Sequence, residues 1–276
     1  DIDANTLNMD VAQVESAITP KTKAIFAVNL LGNPNDFDAL NSICEKHNLI
    51  LLEDNCESMG AFYKGKAAGT IGEMGTFSTF YSHHLCTMEG GVTVTDNLEL
   101  YHYMLSIRAH GWTRNLPSDS KIYKKKDDVF YESFNFIMPG YNLRPIEMEG
   151  ALGIEQLKKL DGIISQRREN AKYFISEVKN LEGYRIQQQK EGSSWFGFAI
   201  ILEGRNKGKR NGLVALLDKN GIDARPVVAG NFVRNKAVEY LDYEVHGELK
   251  NADYIHDEAF FVGNHSKDNK AHVDNL

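Results

Sequence analysis

The chain has 276 residues, 42% of them hydrophobic and 25% charged, which is the composition of an ordinary globular protein with one large or two smaller domains. The formal net charge of −7 argues against a nucleic-acid binder or a membrane-surface protein. The sequence contains no apolar run long enough to span a bilayer and no signal-peptide pattern at residue 1. Its three widely spaced cysteines do not form a disulfide framework, so we expect a cytoplasmic protein.

The first fifty residues alternate helix and strand patterns. Asp10 is placed to cap a helix over residues 11–18, and residues 36–47 have the spacing of a second, amphipathic helix. The apolar runs 23–29 and 49–52 predict buried strands. Strand, helix and strand in this order imply a parallel sheet with right-handed crossovers.

Asp54 follows the second of these strands directly. Ligands of open α/β sheets bind at the carboxyl ends of strands, so Asp54 is a candidate binding residue. Aspartates at strand ends also often cap the next helix, and the local pattern leaves both roles open. The glycines of residues 61–76 match no phosphate-binding loop and predict turns and a short hairpin.

Residues 77–91 begin as an apolar and aromatic run and then become polar. The run predicts a buried strand, and the polar part contains the pair His83 and His84 before Glu89-Gly90-Gly91. A strand that ends in a polar loop is the usual position for chemistry in an α/β protein. Taken alone, a histidine pair in a loop more often has no function than a catalytic one.

The second half of the chain predicts a helix over residues 98–109, with Leu100, Met104 and Ile107 on its inner face, and another helix starting at Pro145. We expect a large domain over residues 1–160 and a smaller α+β domain over residues 161–276. The smaller domain contains a charged helix, a strand, a second helix and an edge strand, which we predict at residues 163–178, 195–202, 209–220 and 222–226.

Ser78, His83 five residues later, and the Glu89-Gly90-Gly91 turn resemble the cofactor segment of the DegT/DnrJ/EryC1/StrS family. Its members are sugar aminotransferases that depend on pyridoxal phosphate and have the fold-type I architecture. In this family the residue five after the serine is a lysine that binds the cofactor covalently. An imidazole cannot form that bond, and no lysine lies between Lys66 and Lys121. The same substitution marks the branch of 3-dehydratases that deoxygenate nucleotide-linked 4-keto-6-deoxy sugars.

The resemblance implies an α/β fold: a mostly parallel sheet flanked by helices, plus the smaller C-terminal domain. It begins in the middle of the family's large domain. We therefore expect about a hundred residues of the family fold, including its phosphate-binding turn, to be absent from this sequence. The sequence leaves open whether the chain is a fragment or its N-terminal part is missing for another reason.

The resemblance also implies site residues. Asp54 is expected to face the pyridine nitrogen, Ser78 to bind the cofactor, and Glu57, where the aminotransferases have glutamine, to contact the cofactor's ring oxygen. His83 is expected to be the catalytic base. Asn142, in a Gly-Tyr-Asn-x-Arg segment, is expected to reach the cofactor phosphate of a neighbouring subunit, which implies a homodimer.

His110, Arg114, Asn231 and Arg234 are expected to bind the nucleotide-sugar substrate. The implied substrate is GDP-4-keto-6-deoxymannose, with pyridoxamine phosphate as the working cofactor, glutamate as the amino donor and no metal site. Three alternatives stay open: an iron–sulfur-dependent dehydratase of a CDP-linked sugar, a sugar-nucleotide aminotransferase, and an inactive homologue that serves as a dimer partner. No cysteine follows Cys86, which is a poor basis for a four-thiolate cluster.

Overall fold

A computed structural model describes residues 1–276. The α-helices α1 to α9 span Val11–Val14, Phe37–His47, Leu98–Ile107, Val129–Glu132, Glu147–Leu157, Leu160–Val178, Arg210–Lys219, Lys250–Glu258 and Lys270–Val273. The strands β1 to β10 span Ala24–Val28, Ile50–Asp54, Phe62–Tyr63, Lys66–Ala67, Met74–Ser78, Gly91–Val94, Tyr184–Ile186, Gly197–Leu202, Ala224–Arg225 and Ala259–Gly263. Short 3-10 helices cover Glu15–Ala17, Leu30–Gly32, Gly204–Asn206, Phe232–Arg234 and Lys236–Tyr240.

The first sheet has the order β1-β2-β5-β6. The strands β1, β2 and β5 are parallel, and β6 returns antiparallel to β5. Helix α2 covers this sheet with Phe37, Leu40 and Cys44, which pack against Ile25 and Leu51 of the strands. The predicted parallel sheet is therefore confirmed, and the predicted hairpin is the small β3–β4 ribbon.

The start of helix α1 has the predicted cap, and the start of α2 has an acidic cap of the same kind. The Asp10 carboxylate accepts a hydrogen bond from Ala12 N, and the Asp36 carboxylate accepts one from Ala39 N. The first helix is shorter than predicted, because the α-helix ends at Val14 and a 3-10 turn follows it.

The second sheet is antiparallel with the order β7-β8-β10-β9. Every residue of β8 is buried, because both faces of this strand are covered. Phe198 and Leu202 pack with the α6 side chain Phe174, whereas Ile201 packs with Leu31 near the start of the chain. The strand β9 lies at the sheet edge as predicted, and β7, β10 and α8 were missed from the sequence.

Three predicted details were wrong. The helix α6 starts at Leu160 rather than at the predicted residue 163, so Gly162 lies inside its first turn. Pro145 precedes the N-cap residue Ile146 and is not the first residue of α5. The fully buried positions of α3 are His102 and Ser106, because its inner face meets the following loop, where Lys121 N donates to His102 Nδ1 at 3.1 Å.

We propose residues 1–160 as the large domain and residues 161–276 as the small domain. The helix α6 at this boundary supports the division, since the first sheet precedes it and the second sheet follows it. The α6 residue Arg168 also connects the two parts, since its Nη2 donates to Gly60 O at 3.0 Å and its Nε donates to Ser193 O at 3.0 Å.

Candidate active site

Two predicted site residues end neighbouring parallel strands. Asp54 is the last residue of β2, and Ser78 is the last residue of β5. Because β2 and β5 run in the same direction, both side chains lie at the same edge of the sheet. Asp54 Oδ1 accepts from Cys56 N at 2.9 Å, and Ser78 Oγ accepts from Phe80 N at 3.2 Å. A carboxylate and a hydroxyl are therefore presented together at a strand-end edge.

Buried polar groups hold this edge in place. Glu53 is fully buried, and its carboxylate accepts from the backbone N–H groups of Gly69, Ile71 and Gly72 at 2.6, 2.7 and 2.6 Å. Asn29, which directly follows β1, donates from its Nδ2 to Oδ1 of Asn55, the residue after Asp54, at 2.6 Å. Both contacts fix the backbone on either side of Asp54, since buried polar groups of this kind are costly to separate.

Glu57 follows Asp54 by three residues. Its side chain is hydrogen-bonded to the turn that follows β1. Its Oε2 accepts from Leu31 N at 2.9 Å. Burial raises the pKa of Glu57 to about 7, the negative charge of Asp54 raises it as well, and the Leu31 N–H acts in the opposite direction. Glu57 therefore carries a proton for much of the time near neutrality and can donate a hydrogen bond.

His83 lies in the loop after β5 and is half-buried. Its ring packs against Phe196 with a centroid distance of 5.2 Å, and its Nδ1 has no hydrogen-bond partner. Burial lowers the pKa of His83, and the Arg167 guanidinium lowers it further against the opposing effects of the Phe80 carbonyl and Asp54. The imidazole is therefore neutral near pH 7 and able to accept a proton.

His84 has a different environment from its neighbour. It is only 2% exposed, and its Nε2 lies 3.2 Å from the carbonyl oxygen of Ser194. Because a carbonyl only accepts, Nε2 carries the hydrogen. Burial lowers the pKa of His84 to about 3, so this side chain stays neutral and fixed to the chain near β8. The geometry thus separates the two histidines, and His83 is the one free to exchange protons.

A cavity of about 560 Å³ opens beside His83. Its walls come from the loop after β5, from α5 and α6, and from the second sheet and the turn that follows β10. Arg167 and Phe196 line it, and neither was predicted as a site residue. A signal for Arg167 was available, because it occupies the apolar stripe of α6 together with Ile164, Ala171 and Phe174.

His110, Arg114 and Asn142 lie together around Trp112, outside this cavity. The His110 ring meets Trp112 edge-on at 5.5 Å, and the Arg114 guanidinium lies 4.3 Å from the centre of the Trp112 ring. His110 N donates to Tyr141 O at 2.8 Å, which brings Asn142 alongside. Their predicted roles toward cofactor phosphate and substrate stay predictions.

The positive φ of 64° at His110 and 84° at Gly111 turns the chain here. A side chain at Gly111 would overlap the Met138 carbonyl, so only glycine fits this close approach. Asn142 is exposed, and its Oδ1 accepts from Arg144 Nε at 3.0 Å. The cluster is therefore a rigid turn that presents an amide and two guanidinium groups at the surface.

Asn231 and Arg234 are placed with acidic residues of α8 rather than beside His83. Asn231 is buried, and its Nδ2 donates to Asp253 Oδ1 at 2.9 Å. Arg234 forms ion pairs with Asp257 at 2.9 Å and with Asp253 at 3.5 Å. Neither residue lines the cavity beside His83, and their predicted contact with substrate stays a prediction.

No group of three or more histidine, cysteine, aspartate or glutamate side chains is arranged to hold a metal ion. None of the helices combines the length and the apolar character needed to cross a membrane.

Comparison with known proteins assigns the fold and the family. The model of the DegT/DnrJ/EryC1/StrS aminotransferase family matches residues 1–276. The chain is 55% identical to a GDP-4-keto-6-deoxy-D-mannose 3-dehydratase of Escherichia coli O55:H7 over 267 residues, which are 96% of this chain and 69% of the relative. It is also 55% identical to the enzyme of that name from Yersinia pseudotuberculosis over 278 residues, which cover 100% of this chain and 71% of the relative.

A crystal structure of GDP-4-keto-6-deoxymannose-3-dehydratase with a trapped PLP-glutamate geminal diamine superimposes with a TM-score of 0.96. It shares 53% identity and covers 100% of this chain and 72% of its own. The fold is therefore the fold-type I architecture that the sequence predicts. This chain belongs to the DegT/DnrJ/EryC1/StrS aminotransferase family.

Proposed function

We propose that the protein is a 3-dehydratase of GDP-4-keto-6-deoxymannose that uses pyridoxamine phosphate, with glutamate as the amino donor. The observation that carries this proposal is His83. It takes the position of the family's cofactor-binding lysine, and it is neutral and half-buried in the loop after β5. The similarity to two 3-dehydratases over nearly the whole chain supports the same activity.

The residues at the strand-end edge fit the cofactor. Asp54 would hold the proton on the pyridine nitrogen, since a carboxylate next to that nitrogen favours its charged form. Glu57, with a pKa of about 7, would donate a hydrogen bond to the ring oxygen, and Ser78 would bind a further polar group. His83, whose side chain lines the cavity, would face the reacting carbon.

When bound, pyridoxamine phosphate supplies an amine for the substrate's C4 ketone and a ring that accepts electrons. His83 would take a proton from the C4′ carbon of the cofactor, so that the C3 hydroxyl of the sugar could leave. The protonated His83 is then placed to return a proton to the departing oxygen. Hydrolysis by two water molecules would then release a 3-deoxy-4-keto sugar nucleotide, ammonia and pyridoxal phosphate, and transamination from glutamate, which leaves as 2-oxoglutarate, would restore the amine.

We further propose that the protein is a cytoplasmic homodimer with shared sites. Asn142 and Arg144 are exposed on a rigid turn, and the neighbouring helix α5 exposes Met148, Ile154 and Leu157 at 59, 63 and 62%. An apolar surface of this kind is suited to a second subunit. The three free cysteines suit a reducing compartment.

The decisive experiment is a turnover assay with GDP- and CDP-linked 4-keto-6-deoxyhexoses, pyridoxal phosphate and glutamate. We expect ammonia and a 3-deoxy product from the GDP-linked substrate, and neither from a His83→Asn variant that still binds the cofactor. An amino sugar formed without ammonia would identify an aminotransferase. Absence of both turnover and a cofactor spectrum would identify a non-catalytic partner, and preference for the CDP-linked sugar would overturn the substrate assignment.

A further inference from the structure

The segment that carries Phe196 has an unfavourable backbone conformation. Trp195 has a positive φ of 51°, in the left-handed region that residues with a side chain rarely adopt. Leu31, which lies against this segment, has a positive φ of 54°. Phe196 N donates to Leu31 O at 3.0 Å, and Ser194 N donates to Gly32 O at 3.0 Å. The turn at Trp195 sets the direction of Phe196, so the phenyl ring stays in place only while its surroundings hold this turn.

His84 is the side chain that fastens this segment to the loop after β5. Its Nε2–H donates to Ser194 O at 3.2 Å, and no other donor of the chain is bonded to this carbonyl. His84 is 2% exposed and Ser194 is fully buried, so water cannot replace the bond if it is lost. The His84 ring also packs against Phe196 with a centroid distance of 5.6 Å. The position of the segment therefore depends on one histidine side chain.

Phe196 connects His84 to the candidate base. Its ring packs against His83, at 5.2 Å, as well as against His84. Burial lowers the pKa of His84 to about 3, so its Nε2–H stays in place throughout the pH range in which His83 exchanges protons. The side chain next to the base in sequence thus fixes, independently of pH, a ring that covers the base.

We propose that His84 is a positioning residue for His83: it holds residues 194–196 so that the Phe196 ring orients the base and shields it from water. The inference rests on the proposed function, in which His83 transfers the proton. His84 itself exchanges no proton in this role. The alternative is a purely structural histidine, which stabilises the buried interior without any effect on the properties of His83.

The charged groups around His83 remain when His84 is replaced. Burial lowers the pKa of His83, Arg167 of α6 lowers it further, and the Phe80 carbonyl and Asp54 of β2 act in the opposite direction. The other charged or titratable side chains that line the same cavity are Tyr81, Cys86, Asp223, Arg225 and His265. Because His84 is neutral, its replacement by a neutral residue removes no charge. An altered titration of His83 in a His84 variant therefore reports a changed position or exposure of the imidazole.

Two substitutions of His84 test the hydrogen bond. His84→Leu removes the donor and keeps a similar volume, whereas His84→Gln keeps an amide N–H near the position of Nε2. NMR titration of His83 in the cofactor-free protein follows its pKa in each variant. We expect the pKa of His83 to rise in His84→Leu, because water reaches the imidazole, and to stay near the wild-type value in His84→Gln. In the turnover assay, His84→Leu should lower kcat by about tenfold and change KM by less than about twofold.

His102→Leu is the matched control. His102 is 1% exposed and is bonded to a backbone group, Lys121 N, outside the cavity. Its replacement should lower stability by a similar amount and leave the pKa of His83 and kcat unchanged. If His84→Leu does not fold, His84→Asn gives the same comparison, because its shorter amide does not reach the Ser194 carbonyl.

An unchanged pKa of His83 in the variant without the donor would overturn the positioning role, and so would an equal change in His102→Leu. A His84→Gln protein that behaves like His84→Leu would show that the bond to Ser194 is not what positions the base. The titration is independent of turnover. A shifted His83 pKa in a protein that never dehydrates the sugar nucleotide would refute the proposed function alone, and dehydration with an unshifted pKa would refute the positioning role alone.

Discussion

The ring of Phe196 packs against the ring of His83, with their centroids 5.2 Å apart and their planes tilted by 40°. His83 belongs to the loop after β5, and Phe196 directly precedes β8 of the second sheet. The Arg167 guanidinium lies 5.7 Å from the centre of the same phenyl ring. The orientation and the dry environment of the candidate base therefore depend on the junction of the two sheets.

Replacement of Phe196 by alanine tests this dependence. Because Phe196 is half-buried, we expect the free energy of unfolding to fall by about 2 kcal/mol. Water would also reach the imidazole and raise the pKa of His83, which burial keeps low. On acidification, a base with a higher pKa becomes protonated, and therefore inactive, at a higher pH. The acid limb of the pH–rate profile should therefore move to higher pH.

Urea denaturation and a pH–rate profile measure the two effects. Phe130→Ala is the control, because Phe130 is 91% exposed and should change neither. A Phe196→Ala protein with lower stability but an unchanged pH profile would show that the phenyl ring supports the fold without influencing His83.

Glu57 predicts a specific dependence of stability on pH. Its pKa of about 7 in the folded protein lies above the ordinary 4.5, so the folded state binds the proton more tightly than the unfolded state. The stabilising contribution is complete below the ordinary pKa and is lost as the pH rises through about 7. Relative to Glu57→Gln, which cannot titrate, the wild type should lose roughly 3 kcal/mol between about pH 5 and about pH 8.

Urea titrations of the cofactor-free protein across this pH range measure that difference. Glu155→Gln serves as the matched control, because Glu155 has an exposed side chain on α5 and pairs only with Lys158. Stability curves of wild type and Glu57→Gln that run parallel across the range would mean that the carboxyl is not protonated in the fold.

Local patterns were sufficient for much of the first sheet. Asp36 and the spacing of Phe37, Leu40 and Cys44 define α2, and a short apolar run ending at Asp54 defines β2. These features depend only on neighbours in the sequence, such as a capping side chain or one buried face. The position of Asp54 at the strand end follows from them directly.

Features that join distant parts of the chain were not predictable in this way. The apolar stripe of α6 indicates that Arg167 faces the interior, but it does not reveal the carbonyl groups of Phe196 and Asn264 that accept its hydrogen bonds. Asn231 and Arg234 looked like surface residues or substrate ligands, and the structure pairs them with α8. Periodicity cannot reveal such partners, because they lie on other elements.

Asn142 allows a test of the shared-site dimer. If its side chain serves the cofactor of the neighbouring subunit, a dimer of one Asn142→Ala subunit and one His83→Ala subunit has both defects in one site and neither in the other. A mixture of the two inactive variants should therefore regain up to about a quarter of wild-type activity, since half of the dimers are mixed and one site in each is intact. Mixing after denaturation and joint refolding, followed by the ammonia assay, measures the recovery.

The control mixture combines His83→Ala with Asp54→Ala, two residues expected to serve the same subunit's cofactor. This mixture should stay inactive, because every site of its mixed dimers contains one of the two defects. Recovery in neither mixture, with dimers demonstrated by sedimentation, would assign Asn142 to its own subunit.

The last prediction concerns the substitution at His83 itself. The wild type has no lysine at this position and should leave no phosphopyridoxyl group on the chain after borohydride treatment. His83→Lys restores a primary amine in a half-buried site near Arg167, where burial and a neighbouring cation both lower the pKa of a lysine. We expect this variant to gain a borohydride-stable cofactor adduct, visible by mass spectrometry, and to lose dehydration by about 100-fold or more.

His47→Lys is the matched control, because it adds a lysine at a surface position beside Glu15 and should gain no adduct. Peptide mapping then assigns the modified residue in His83→Lys. Two results would contradict the assignment of His83 as the base. One is a wild-type adduct trapped on any lysine, and the other is a His83→Ala protein that keeps nearly full dehydration. The second result would pass the role to another group, and His84 is a poor substitute because burial lowers its pKa to about 3.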